Sequence, residues 1–124
     1  MTIIEAINLI DASKPNTYGQ VEKIRWLSNL DWIIKREVID THEGGESIEF
    51  NGYTEDTPHD TQLLVPAPYD ELYVRWLEAQ IDYANGELNK YNASMSMHNT
   101  YMTSFINYYN RNHMPLQKNG MKYF

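Results

Sequence analysis

The stretch from Leu64 to Pro115 constrains this chain most. Pro66 and Pro68 end an extended segment, and apolar residues then recur at steps of three and four until Pro115 closes the run. That spacing belongs to helices that bury one stripe. Seven of the ten tyrosines lie between Tyr69 and Tyr109. A tyrosine, with a large apolar ring and a polar tip, suits a half-wet contact. The pattern points to helices that bind other helices rather than to a catalytic scaffold.

The rest of the chain extends this reading to a mainly α fold: a small bundle of about four helices, with one acidic β-hairpin between helices two and three. Thr2 and Glu5 have capping-box spacing, and Ile3, Ile4, Ile7 and Ile10 follow, so helix one is expected over residues 3 to 12, ahead of Pro15. After Gly19, Val21, Ile24, Leu27, Leu30, Ile34 and Val38 recur at three and four, which predicts a central helix two over about 20 to 40. Glu46 to Phe50 and Tyr53 to Glu55 flank Asn51-Gly52, the dipeptide that suits a type I′ turn, so a hairpin is expected within about 43 to 60. Helix three is expected from Pro68-Tyr69 to Asn85-Gly86, with a stripe of Tyr69, Leu72, Tyr73, Trp76, Leu77, Ile81 and Ala84. Helix four follows from Glu87, with a stripe of Leu88, Tyr91, Met95, His98, Met102, Phe105 and Tyr109. The spacing also runs on across Gly86, but one helix from Tyr69 to Asn112 would be on the order of 65 Å long, so an antiparallel helical hairpin is preferred. These elements make a single domain over 1–114, and 115–124 reads as a C-terminal arm.

Charge narrows the function classes. The formal net charge is −7, which speaks against a protein whose main task is to hold nucleic acid. From Glu37 to Asp60 there are eight carboxylates and no Lys or Arg; beyond Glu87 stand Lys90, Arg111, Lys118 and Lys122 with no carboxylate side chain. An acidic middle and a basic end describe either two solvated surfaces or two complementary ones. No segment approaches the roughly 20 apolar residues that span a bilayer, and the start lacks a basic n-region, so a cytoplasmic origin without membrane insertion is expected.

A search for chemistry finds little. The chain has no cysteine, and His42, His59, His98 and His113 are scattered without a partner at metal-ligand spacing. Glu78 and Asp82 share a helical face near Arg75, which reads as a solvated face more readily than as an acid–base pair. Asp56, His59 and Asp60 crowd one loop, but the spacing is not that of a calcium loop. No catalytic residue, cofactor or metal is expected, and the chain is not read as an enzyme. Met95, Met97 and Met102 read most simply as adaptable core fillers. Asn85, Asn89, Asn92 and Asn99 lie on one helical line although asparagine is a poor helix former, which suggests polar registration between helices.

A resemblance enters through particular strings. Leu63-Leu64-Val65-Pro66 with Tyr69-Asp70-Glu71-Leu72-Tyr73, then Ile81-Asp82-Tyr83-Ala84-Asn85-Gly86-Glu87, Tyr91-Asn92 and Tyr108-Tyr109-Asn110-Arg111-Asn112-His113-Met114-Pro115, resemble head-to-tail connector (adaptor) proteins of tailed phages and prophages of gut Firmicutes. The likeness spans residues 63 to 115. It implies a structural virion protein of the neck, made in the bacterial cytoplasm. Its helical subunit would form a homo-oligomeric ring, expected to be a dodecamer, beneath the portal protein and would dock a tail or stopper protein, while phage DNA passes without specific binding. It implies no catalytic residues. Tyr91, Tyr101, Asn92, Asn99, Arg111, Lys118 and Lys122 are the expected interaction residues. The alternative class is a phage DNA-binding regulator or packaging accessory protein with an N-terminal helix-turn-helix, in which Lys23, Arg25, Lys35 and Arg36 would have to outweigh Glu22, Asp31, Glu37 and Asp40.

Overall fold

The computed structural model describes residues 1–116, and these form a mainly helical domain of four α-helices. Helix α1 spans Ile3–Ser13 and opens on the expected capping box: Thr2 Oγ1 accepts from the Glu5 amide at 3.2 Å while the Thr2 amide donates to Glu5 Oε1 at 2.8 Å. Its Ile3, Ala6, Ile7 and Ile10 are buried. Helix α2, Gln20–Ile34, buries Ile24, Leu27, Leu30 and Ile34 and passes into a π-helical turn, Lys35–Ile39. The Asp40 amide donates five residues back to the Lys35 carbonyl at 2.8 Å, and the widened turn leaves Val38 and Ile39 both in the core.

The expected acidic hairpin is absent from the described residues. Gly45–Ser47 is a short 3-10 turn and residues 48 to 60 form no strand. The reason lies in where the segment's hydrogen-bonding groups go. The Tyr53 amide donates to Ser28 Oγ at 2.9 Å and the Tyr53 hydroxyl to Asp31 Oδ2 at 2.5 Å, both on α2. Phe50 meets Trp32 of α2 edge-on at 4.9 Å and Tyr53 at 5.0 Å. Contacts with a helix thus replace cross-strand pairing. At Gly45 the chain passes so close to the end of the π turn that a Cβ would collide with the Ile39 carbonyl, so only glycine fits.

Helix α3, Glu71–Ala84, follows a turn at Pro66–Asp70, two residues later than Tyr69, and its Leu72, Tyr73, Val74, Leu77, Ala79 and Ile81 lie in the core. The α3–α4 connection resolves the question of one helix or two. The Gly86 amide bonds the Tyr83 carbonyl at 3.0 Å and the Glu87 amide the Asp82 carbonyl at 2.9 Å, with Gly86 at φ +77°. This is a Schellman motif with its glycine in the left-handed region, and it reverses the chain. Helix α4, Leu88–Asn112, then runs back along α3. Beyond it, the Glu43 amide donates to the Met114 carbonyl and the Leu116 amide to the Thr41 carbonyl, both at 2.8 Å, tying residues 114 to 116 to the start of the acidic segment.

Candidate assembly surface

Helix α4 carries most of the residues singled out in the sequence, and its environment is one-sided. Of its 25 residues only Ser94, His98, Phe105 and Tyr109 are buried, on the face that meets α3 and the segment between Leu64 and Tyr69. The line differs from the expected one. Leu88, on the expected line, is 58% exposed and Tyr91 and Met95 are only half-buried, whereas the small Ser94 faces α3 and donates to Asp82 Oδ2 at 2.9 Å. The phase of α4 is set by the Schellman turn and by this polar contact, which turn Leu88 outward. Met102 packs on the core as a filler, but Met97 does not.

Two polar anchors hold α4 against α3, and a third, Asn110 Oδ1 at 2.6 Å from His42 Nε2, holds its far end. Asp82, buried, also takes Lys14 Nζ at 2.7 Å, so it joins α1, α3 and α4. Its supposed face-mate Glu78 instead pairs with Arg75 at 3.3 Å, and the two carboxylates do not share a solvated face. His98 Nδ1 lies 2.8 Å from the Leu72 carbonyl, which can only accept, so the ring carries its proton there. Burial pushes the His98 pKa down, and the bond to Leu72 opposes this only in part.

The interaction residues expected from sequence divide as follows. Asn92 and Asn99 are exposed and, with Met95, Ser96, Thr100 and Thr103, line a shallow groove along α4. Asn89 is exposed too, but Asn85 is engaged, accepting from the Tyr18 hydroxyl at 2.7 Å. Tyr91 is half-buried against Tyr83, at 5.4 Å between ring centroids, and lies outside the main core. Tyr101 is half-buried and packs on that core. Arg111 is exposed in the last turn of α4. Lys118 and Lys122 fall outside the described residues. All eight carboxylates from Glu37 to Asp60 are exposed, and among the described residues only Asp40 has a cationic partner, Lys35.

One polar cluster went unread in the sequence. Asp31, fully buried on α2, accepts from Tyr53 and the Leu64 amide through Oδ2 and from the Tyr73 hydroxyl, at 2.6 Å, through Oδ1; that hydroxyl in turn accepts from the Val65 amide at 2.8 Å. Burial raises the Asp31 pKa to about 6 although three donors favour the anion, and the same carboxylate together with burial pushes both tyrosines up. The cluster fastens the Leu64–Val65 segment between α2 and α3. An Asp four residues after Leu27 and three before Ile34, inside the apolar stripe of α2, is the signal that could have found it.

Among the described residues no group of three or more His, Asp and Glu could hold a metal ion, and no helix is long and apolar enough to cross a membrane. No family model, curated protein or solved structure matches the chain.

Proposed function

We propose that this protein is a structural subunit of a tailed-phage virion: a head-to-tail connector that forms a ring under the portal and joins capsid to tail in the neck. The observation that carries this reading is the one-sided burial of α4. A 25-residue helix with four buried residues, exposed Leu88 and Met97, half-buried tyrosines and no carboxylate side chain is a surface suited to neighbours. The exposed acidic segment supplies a second, unlike surface. Unlike patches on one subunit close into rings when the rotation between copies allows it.

The alternative, a DNA-binding regulator built on α1 and α2, has less support. Lys23 and Lys35 are buried and paired with Asp11 and Asp40, which leaves Arg25 and Arg36 as the exposed cations of α2 and its π turn. Two separate arginines beside exposed Glu22 and Glu37 make a poor phosphate grip. Co-expression with a portal protein, followed by sedimentation and electron microscopy, tests the proposal. Ring-shaped density on the portal is the expected result; no association with the portal, together with tight duplex DNA binding at physiological salt, would replace it with the regulator reading.

A further inference from the structure

Helix α4 presents three exposed or half-exposed lines besides its buried one, and each keeps steps of four and three. One flank is Leu88, Asn92, Met95, Asn99, Met102 and Ile106. The other is Met97, Tyr101, Ser104, Tyr108 and Arg111. Between them, pointing away from α3, run Ser96, Thr100, Thr103 and Asn107, all exposed and none charged, while the next position, Asn110, is turned onto His42 Nε2 at 2.6 Å. We infer that neighbouring copies join through α4, the Leu88–Ile106 flank of one against the Met97–Arg111 flank of the next, with the neutral Ser/Thr/Asn line facing the centre of the ring. This rests on the ring reading above and adds which helix forms the seam, in which sense, and what lines the opening.

The flanks differ in kind, and that decides the type of contact. One carries the apolar Leu88, Met95, Met102 and Ile106 with Asn92 and Asn99 set among them; the other carries two tyrosines and ends in Arg111. Asn92 and Asn99 are seven residues apart, as are Met95 and Met102. Such alternation is the heptad pattern of a helix seam, in which a polar residue fixes register at some cost in stability. Two seams on opposite sides of one helix are what a helix needs to have a neighbour on each side, as in a ring of side-by-side helices. Half-burial of Met95, Met102, Tyr101 and Tyr108 within the subunit already orders these side chains, which lowers the entropic cost of a second contact.

The extent of the seam indicates a ring neighbour rather than an isolated partner. From Leu88 to Ile106 a helix is roughly 27 Å long. A strip of that length and about 10 Å wide hides only a few hundred Å² per copy, against roughly 800 Å² per partner in a stable pair. One such contact does not hold a dimer, but every copy in a closed ring makes two. The inner line also fits a passage for DNA. With no Lys or Arg it has no hold on phosphates, and with no carboxylate it does not repel them.

The chain has no cysteine, so thiol cross-linking reads the seam directly. Asn99→Cys marks one flank and Met97→Cys the other, both at exposed positions. Two residues apart on opposite flanks, they are poorly placed to bridge within one helix. Each single variant and the double variant are treated with a short bis-maleimide, in concentrated solution and again with a portal ring, and each sample is imaged in parallel. The double variant should give a ladder of covalent multimers, each single variant only monomer, and an equal mixture of the two singles a dimer and nothing larger. Dimers from either single variant alone would mean that like flanks meet and would overturn the proposed packing. Rings without cross-linking would exclude α4 from the seam while leaving the ring reading intact. Neither rings nor cross-links under either condition would overturn both.

Discussion

Replacing Tyr73 with phenylalanine isolates the polar cluster at the centre of the fold. The ring volume stays the same, so the fully buried site neither opens a large cavity nor becomes overpacked; only the hydroxyl is lost. Two hydrogen bonds go with it: the donation to Asp31 Oδ1 and the acceptance from the Val65 amide. Losing a bond to an ionised carboxylate costs about 1.5–3 kcal/mol, and leaving a buried amide unpaired costs about 1–3 kcal/mol. A loss of about 3–5 kcal/mol is therefore expected where Asp31 is ionised, a large part of the stability of a domain this size. The pH dependence follows from Asp31 itself. Its folded-state pKa of about 6 stands above the ordinary 3.8, so the folded state binds the extra proton in between. Stability from this group is fully present below 3.8 and is lost, by about 3 kcal/mol, as pH rises through about 6. With one donor fewer the anion is worse off still, whereas the protonated carboxyl loses only an ordinary bond of about 0.5–1.5 kcal/mol. The variant should thus be penalised about 1 kcal/mol more near pH 7.5 than near pH 4.5. Urea unfolding followed by circular dichroism at both pH values measures this. Equal penalties at the two pH values, or a loss below about 1 kcal/mol at both, would refute the cluster as described.

Three further outcomes are expected. Gly86→Ala should cost about 1 kcal/mol, because the position is at φ +77° with open space around it and only backbone strain opposes the new methyl group; an unchanged urea midpoint would contradict the Schellman turn. Tyr101→Ala should destabilise the subunit, since Tyr101 packs on the core, whereas Tyr91→Ala, outside that core, should leave the melting temperature within a few degrees; the reverse ranking would misplace the core boundary. An NMR titration should find the His98 midpoint below its ordinary 6.5, so its contribution to stability is present above 6.5 and is lost as pH falls through that midpoint; a midpoint above 6.5 would rule out the buried neutral ring.

Local chemistry determined a good part of this protein on its own. The Thr2–Glu5 box, the apolar steps of α2 and α3 and the Asn85-Gly86 stop each act within a few residues, so they could be read without knowing what lay opposite. The segment 46–55 could not be read in this way. Asn51-Gly52 is compatible with a hairpin, but Ser28, Asp31 and Trp32 of α2 offered its amide, hydroxyl and rings better partners, and a helix that distant in sequence leaves no local mark. Periodicity places Leu88, Tyr91 and Met95 on the stripe of α4, yet the turn at Gly86 and the Ser94–Asp82 contact rotate the helix so that Ser94 faces inward and Leu88 outward. Asp31 and Asp82 are ordinary acids in the sequence; only packing removes them from water and makes them the joints of the fold. The exposed character of Asn92, Asn99 and Arg111 follows from the same cause, since which of several equally spaced lines on a long helix is buried depends on what it meets, here α3 and the Leu64–Tyr69 segment.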